Sequence, residues 1–438
     1  MQRRDCRGWE FDPPGKLTLE DLQPACHQAV YSLHQFRVGS IKCFLAFLWS
    51  VETAASLERC KVSRERPEPI LELPSKNWGN RPWRIGFRAK PQPVSEMVDF
   101  AVVGGGFTGL AAAACLKRQA PDKSVALLES ETFGSGASGH TGGLALAESA
   151  AGNLPGLGDV LSGYQNILAE LNVDGDVQLP GVYELGRMAP LKESPIRWSD
   201  SGELRAVNEV AGGTIDPGKV VTGLAEAAER VGVLLFEKVN VERCEFHDPI
   251  TLHTHLGELR ATQVLLATNA YSLELTGWTR RTESCFTLAV ATEPLSDSTL
   301  EAIGLASGKP FYTVDLPYLW GRLLGQQVIF GSGLVHFSNW REMQSLDVAT
   351  GSAAEGLVRL EQRIRGLHPK LQAVTFSHRW GGPISISEKW VPIFERHPKS
   401  GNAIVLGGYS GHGVAQSVHL GAWAADALLG KRELPNWK

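Results

Sequence analysis

The chain has 438 residues, of which 43% are hydrophobic and 21% charged, and its formal net charge is −4. This length predicts about two or three globular domains, and the slight acidity gives no electrostatic reason to expect a nucleic-acid partner. The longest uncharged apolar stretch near the N-terminus, residues 43–51, falls short of the roughly 20 residues that cross a bilayer, so we expect no membrane span.

Residues 1–75 form an N-terminal extension whose role the sequence leaves open. Charged and apolar residues are mixed there without a strand period, which suits a helical extension, a disordered arm or a wrongly assigned start. Four of the seven cysteines lie in this extension, and no cysteines have CxxC or other metal-ligand spacing. We therefore predict no disulfide framework, no metal site and a reducing, cytoplasmic location. The aromatic segment 78–87 that follows is expected to pack on the body of the protein as an arm.

The most informative stretch is an apolar strand pattern followed by the sequence Gly-Gly-Gly-Phe-Thr-Gly at residues 104–109. In a βαβ unit Gly104 permits a tight turn, Gly106 lets the backbone approach a pyrophosphate, and Gly109 lets the next helix pack closely on the sheet. The diphosphate then lies at the helix N-terminus, where free N–H groups and the helix dipole favour negative charge. Glu129, about 20 residues after the last glycine, can accept hydrogen bonds from ribose hydroxyls, which favours FAD or NAD over NADP.

The elements after Glu129 continue a nucleotide-binding pattern. The stretch 133–143 contains five glycines and is expected to be a loop that lies close to another group rather than a helix. The hydrophobic pattern then predicts a helix at 220–230, a strand at 233–236, a pair of strands at 239–245 and 251–256, and a buried strand of a parallel sheet at 263–270.

Between about residues 276 and 377 the pattern changes to an α+β insertion. It contains aromatic-rich strands and one helix, predicted at 286–291, 311–314, 328–330 and 351–367. The C-terminal part returns to nucleotide-fold character, with a strand, a glycine-rich turn that makes a second anion or dipole site, and a helix, predicted at 403–406, 407–413 and 414–429.

Taken together, these segments resemble the D-amino-acid oxidase superfamily of flavoproteins, most closely its glycine oxidase-like and γ-glutamylputrescine oxidoreductase-like branch. The resemblance covers roughly residues 75–438 and rests on six motifs that occur in order, at 103–110, 136–143, 267–271, 291–295, 380–383 and 408–414. It implies an α/β fold with a discontinuous Rossmann-type FAD-binding domain and an inserted α+β substrate domain that carries a mainly antiparallel sheet. The implied FAD-binding segments are 76–152, 212–275 and 378–438, and the implied substrate-domain segments are 153–211 and 276–377.

The resemblance also implies an activity. Family enzymes oxidise a C–N bond by passing hydride from the carbon next to nitrogen to flavin N5, and the resulting imine hydrolyses. Oxygen or another acceptor then reoxidises the flavin. Glycine and D-amino-acid oxidases hold the substrate carboxylate with two arginines, and Ile384 and Val414 occupy those places here. The expected substrate is therefore a small amine or an N-alkyl amino acid.

Three alternatives remain open. One is a D-amino-acid or glycine-type oxidase whose carboxylate binding is rebuilt around Arg322. Another, from a different class, is a catalytically silent flavin-binding assembly factor. The third is an NAD-binding dehydrogenase, which would be colourless. A flavoenzyme would have its flavin bleached by some amine without oxygen, whereas a silent binder would stay yellow.

The motifs and the resemblance together assign the cofactor contacts. FAD is expected to bind at Gly104, Gly106, Phe107, Thr108, Gly109, Glu129, Ser138, Gly139, His140, Thr141, Gly143, Val241, Gly411, His412, Gly413 and Val414. Among these, His140 either bonds covalently to the flavin 8α-methyl group, as in related dimethylglycine and sarcosine dehydrogenases, or is a polar loop residue without such a bond.

Four side chains are candidates for the chemistry, each with a plainer structural alternative. His412 either transfers protons near neutral pH or is wedged in its turn. Lys389 is either a cation that assists O₂ reduction or a solvated surface lysine. Arg322 either holds a carboxylate or pairs with an acid. Tyr409 belongs to a set of aromatics that either cage an ammonium group or form core: Tyr312, Tyr318, Trp320, Trp380 and Tyr409.

Overall fold

The computed structural model describes residues 76–188, 190–191 and 193–437, so the predictions for residues 1–75 lie outside the described part. Its strands, in chain order, are β1 (Gly79–Asn80), β2 (Met97–Val103), β3 (Val125–Leu128), β4 (Leu144–Leu146), β5 (Val182–Gly186), β6 (Arg197–Ser199), β7 (Glu203–Val210), β8 (Gly212–Thr214), β9 (Leu234–Phe236), β10 (Val241–Glu245), β11 (Ile250–Thr254), β12 (Gly257–Leu266), β13 (Thr282–Thr292), β14 (Phe311–Thr313), β15 (Trp320–Leu324), β16 (Gln327–His336), β17 (Phe376–Ser387), β18 (Ile393–Arg396) and β19 (Ala403–Gly407).

The α-helices are α1 (Phe107–Gln119), α2 (Ala137–His140), α3 (Val160–Glu170), α4 (Pro217–Val231), α5 (Leu273–Thr276), α6 (Asp297–Ala302), α7 (Gly351–Leu367) and α8 (Gly413–Leu428). Two 3₁₀ helices cover Trp340–Ser345 and Pro369–Leu371. No helix in the described ranges is long and apolar enough to cross a membrane.

A parallel sheet forms the nucleotide-binding part. Strands β9, β3, β2, β12 and β19 lie side by side in this order, all parallel, and β10 and β11 extend β12 as an antiparallel ribbon. Helix α1 packs between α4 and α8, and its residues from Phe107 to Leu116 are all buried. Its alanines allow this, because small side chains let neighbouring helices approach closely; a Cβ on Gly421 of α8 would lie 2.6 Å from the Thr108 carbonyl oxygen.

A nine-stranded sheet forms the second layer, in the order β1-β17-β13-β16-β15-β14-β5-β7-β6. All neighbouring pairs are antiparallel except β14 and β5. Helix α7 covers one face, where Leu357 and Ile364 share a core cluster with Phe286 and Val290. The predicted fold class, a Rossmann-type sheet with an inserted, mainly antiparallel α+β part, is confirmed.

The structure differs from the sequence prediction in the glycine-rich stretch 133–143. A loop was expected, but Ala137–His140 forms one helical turn. The turn persists because glycine permits close packing there: a Cβ on Gly139 would lie 2.2 Å from the Gly134 carbonyl oxygen. Tertiary contact therefore outweighs the weak helix propensity of this segment.

The aromatic arm 78–87 packs on the body of the protein, as predicted. Trp78, Trp83 and Phe87 are buried, and β1 adds to the edge of β17. Strand β17 was not among the predicted strands, and it crosses the predicted segment boundary at residue 378.

Candidate FAD site

The turn after β2 has the geometry of a dinucleotide cradle. Gly104 adopts φ +110°, and its amide donates to the Leu128 carbonyl oxygen at 2.8 Å. A Cβ on Gly104 would lie 2.6 Å from the Ala267 carbonyl oxygen, and one on Gly109 would lie 1.9 Å from the Gly104 carbonyl oxygen. Only glycine fits both positions, because the blocking atoms belong to the backbone.

The N-terminus of α1 is available to an anion. Gly106 is the N-cap in extended conformation and makes no side-chain cap, and the first turn contains no acidic residue. Ser138 of α2 approaches from the side and accepts a hydrogen bond from the Phe107 amide at 2.9 Å. No carboxylate of the first turn neutralises the partial positive charge of the helix start, which therefore favours a diphosphate there.

Glu129 follows β3 and turns its carboxylate towards the glycine turn. It accepts hydrogen bonds from the Gly105 amide at 2.8 Å and the Glu131 amide at 2.9 Å, and from the hydroxyls of Ser130 and Ser135. Burial raises the pKa of this carboxyl above its usual range, although these hydrogen bonds oppose the shift. The Val239 amide donates to the main-chain carbonyl oxygen of Glu129 at 2.8 Å, and Val241 follows two residues later at the start of β10.

His140 is buried and held at both ring nitrogens. Nδ1 lies 2.9 Å from the Gly136 carbonyl oxygen, and Nε2 lies 2.7 Å from a guanidinium nitrogen of Arg81. Since a guanidinium can only donate, Nε2 accepts and Nδ1 carries the proton. Burial, followed by the charge of Arg81, lowers the pKa of His140 to about 3.

The residues after His140 contact the nine-stranded sheet. Trp320 fills the space beside Gly142, where a Cβ would lie 2.0 Å from its ring. Arg322 is only 3% exposed and lies beside Gly143, where a Cβ would be 3.3 Å from its guanidinium carbon. It donates to the Ile215 carbonyl oxygen at 2.8 Å. Its Nε and Nη2 have no hydrogen-bond partner, and burial lowers the pKa of its guanidinium to about 10.

The turn before α8 joins the two sheets. The Ser410 amide donates to the Ser385 carbonyl oxygen at 3.0 Å, and the Ser387 amide donates to Ser410 Oγ at 3.1 Å. Ser410 has φ +50°. The hydroxyls of Tyr409 and Thr108 lie 2.7 Å apart, which ties this turn to the start of α1. The two glycine-rich turns and α2 therefore converge on one place.

The remaining predicted site residues lie at distinct positions. His412 is the N-cap residue of α8, with Nδ1 3.4 Å from the Ser410 carbonyl oxygen, and burial lowers its pKa. Gly411, Gly413 and Val414 flank it at the helix start. Lys389 is exposed in the turn between β17 and β18, without a hydrogen bond or ion pair.

The aromatic residues of the predicted ammonium cage have separate surroundings. Trp380 is fully buried, and its indole donates to the His140 carbonyl oxygen at 3.1 Å. Tyr312 donates to a carboxylate oxygen of Glu184 at 2.5 Å, while Tyr318 is 42% exposed. Tyr409 points to Thr108.

Sequence reasoning missed the part played by Arg81 and Trp83. Trp83 donates to the Gly139 carbonyl oxygen at 2.8 Å, and Arg81 binds the His140 ring. The aromatic arm was visible in the sequence, but no spacing signal links residues 81 and 83 to a loop nearly sixty residues later.

The family model described as "DAO: FAD dependent oxidoreductase" matches residues 99–427. The chain belongs to the DAO family of FAD-dependent oxidoreductases. FAD is therefore its cofactor, and the cradle, the start of α1 without an acidic residue and the Glu129 carboxylate fit that molecule.

Individual relatives agree with this family. The chain is 26% identical over 386 residues to the probable oxidoreductase OrdL of Rhizobium meliloti (strain 1021), covering 77% of this chain and 85% of that protein. It is 27% identical over 381 residues to the γ-glutamylputrescine oxidoreductase of Escherichia coli (strain K12), covering 76% and 84%.

Solved structures share the fold of this DAO-family chain. Glycine oxidase from Geobacillus kaustophilus superposes with a TM-score of 0.60 at 19% identity, covering 77% of this chain and 96% of that one. The L-amino acid deaminase from Proteus myxofaciens superposes with a TM-score of 0.63 at 15% identity, covering 82% and 96%.

Proposed function

We propose that this DAO-family protein oxidises the CH–NH bond of a small amine or an N-alkyl amino acid. Bound FAD would accept hydride at N5, and the resulting imine would hydrolyse in water. Oxygen or another electron acceptor would complete the cycle. The γ-glutamylputrescine oxidoreductase named above acts on an amine by its name, which supports the same substrate class here.

The absence of the family's carboxylate-binding arginines carries this proposal. Ile384 stands at one of their two positions and Val414 at the other, so neither can bind a carboxylate. Ile384 is the cross-strand partner of Cys285, and the next pair along the same face is Ile386 and Glu283. Neither pair supplies a guanidinium, so this end of the sheet has no cationic group that would favour a substrate carboxylate over an amine.

The protein's own residues would position the substrate and control protons. His412, whose pKa is lowered by burial, is neutral at physiological pH and can accept a proton at a ring nitrogen. Trp320 and Trp380 close the space beside residues 140–142, which limits access of water from that side.

We further propose that the flavin is held without a covalent bond. A covalent link would need a nucleophilic ring nitrogen on His140, but Nε2 accepts from Arg81 and Nδ1 donates to Gly136.

The free thiols of Cys115, Cys244 and Cys285 support the proposal of a reducing, cytoplasmic environment.

Anaerobic reduction of the flavin tests the proposed substrate class. The purified protein would be mixed without oxygen with putrescine-like amines, sarcosine, glycine and D-alanine, and the loss of visible flavin absorbance would be followed. Bleaching by an amine or by sarcosine is expected. Faster bleaching by D-alanine would refute the amine assignment, and a flavin that stays oxidised with every compound would indicate a silent binder.

One observation favours a second candidate, an amino-acid oxidase. Arg322 is buried, and two of its guanidinium nitrogens have no hydrogen-bond partner. Buried donors are normally hydrogen-bonded, so a bound anion would satisfy these two. If Arg322 binds a substrate carboxylate, Arg322→Met should raise KM for D-alanine or glycine and leave KM for simple amines unchanged. If Arg322→Met leaves the KM for D-alanine and glycine unchanged, as it does for simple amines, this candidate is excluded.

A further inference from the structure

Three side chains of different chemistry meet on the nine-stranded sheet. Glu283 and Cys285 lie two residues apart on β13, and His336 is the cross-strand partner of Cys285 on β16. His336 Nδ1 lies 3.5 Å from Cys285 Sγ and 2.6 Å from a carboxylate oxygen of Glu283. The sulfur, the nitrogen and the oxygen all lie within 4.8 Å of one another, and within the described residues no other group of three such ligands does so.

The spacing of sulfur and nitrogen is that of two ligands on one tetrahedral ion. With Zn–S of about 2.3 Å and Zn–N of about 2.05 Å, a tetrahedral angle places the two ligand atoms about 3.5 Å apart. The observed distance is 3.5 Å. The carboxylate oxygen needs to move outward by roughly 0.7 Å to reach the same geometry. Its side chain is 39% exposed and can make this movement.

The surroundings suit an ion that enters from solvent. Cys285 is fully buried, whereas the side chains of His336 and Glu283 are 47% and 39% exposed. A thiolate and a carboxylate together balance the charge of a divalent cation. Two adjacent strands hold the ligands in a fixed register, so little ordering is needed when the ion binds.

We propose that Glu283, Cys285 and His336 form a zinc-type metal site with three protein ligands and one position open to water. Thiolate, imidazole and carboxylate in a tetrahedral arrangement favour Zn²⁺ over Mg²⁺ or Ca²⁺, which prefer oxygen ligands alone. Metal-ligand spacing in the sequence does not indicate this site, because His336 is about fifty positions from Glu283 and Cys285 and lies beside them only in the folded chain.

Cobalt substitution tests this site in the full chain. Co²⁺ would be added to protein in which Cys6, Cys26, Cys43 and Cys60 are serines, so that these thiols cannot contribute. One equivalent is expected to give a thiolate-to-cobalt charge-transfer band and tetrahedral d–d bands in the red, where oxidised flavin does not absorb. Zn²⁺ should abolish both, because Zn²⁺ displaces Co²⁺ from such sites.

Single-ligand variants then assign the bands. Cys285→Ser should abolish the charge-transfer band. His336→Gln and Glu283→Gln should each weaken Co²⁺ binding by about 10- to 100-fold or more, because loss of a residue that only supports a metal ligand already has an effect of this size. The matched control is His253→Gln, because His253 lies between Glu245 and Glu258 but has no thiol beside it. It should leave the spectrum unchanged.

Near-ultraviolet circular dichroism would establish that each variant is folded. The proposal is overturned if saturating Co²⁺ gives no tetrahedral bands, or if the charge-transfer band survives Cys285→Ser. It is also overturned if His253→Gln removes the bands as effectively as the ligand variants do. None of these results depends on enzymatic activity.

Discussion

The buried imidazole of His140 makes a specific prediction about acid stability. Its pKa falls from the usual 6.5 to about 3 in the folded protein, chiefly through burial and then through the charge of Arg81. Because the folded pKa is lowered, the unfolded chain binds more protons between these two values. The contribution of His140 to stability is therefore fully present above about pH 6.5 and is lost as the pH falls towards 3.

The size of the effect follows from the two pKa values. One pKa unit corresponds to about 1.4 kcal/mol, so protonation of this one side chain removes about 2 kcal/mol of the free energy of unfolding between pH 7 and pH 5. The full difference, reached below pH 3, is on the order of 5 kcal/mol. We expect His140→Asn to be less stable than wild type at pH 7, because it loses the contact with Arg81.

Urea unfolding at pH 7 and pH 5, with FAD in constant excess, measures this contribution. The wild type should lose about 2 kcal/mol more than His140→Asn between the two pH values, since asparagine does not titrate. His255→Gln, at an exposed position, serves as the control and should follow the wild type. Equal losses in wild type and His140→Asn would refute the assignment of a buried neutral imidazole.

Three further predictions concern the cofactor. Gly109→Ala should prevent FAD binding, because its methyl group would lie 1.9 Å from the Gly104 carbonyl oxygen. The control is Gly366→Ala, in open space within α7, which should bind FAD normally and have a free energy of unfolding about 0.5–1 kcal/mol higher than wild type. Glu129→Gln should raise the Kd for FAD about 10- to 100-fold, because an amide nitrogen cannot accept hydrogen bonds, as isothermal titration would measure. Acid precipitation should leave the yellow colour in the supernatant, and colour retained by the pellet would contradict the noncovalent attachment argued from His140.

The sequence predicted the parallel sheet and the cradle because their signals are local. The glycine spacing at 104–109, the apolar strand before it and the acid at 129 lie within one βαβ unit, and the structure shows Gly104 and Gly109 where only glycine fits. Helix α7 was predicted with its observed bounds, because its 3.6-residue period extends over many turns.

The parts that the sequence did not predict depend on long-range contacts. The helical turn at Ala137–His140 is stabilised by packing against residues outside that segment, including Trp83. The pairing of Arg81 with His140 and the meeting of Cys285 with His336 join chain segments that carry no common motif. Propensity and spacing do not report such contacts, because they describe only neighbours along the chain.

The absorption spectrum of the purified protein, titrated with FAD, tests the central assignment most directly. We predict one FAD per chain, with flavin bands in the visible that are lost in Gly109→Ala and kept in Gly366→Ala. A wild-type chain that stays colourless in the presence of excess FAD would contradict the account.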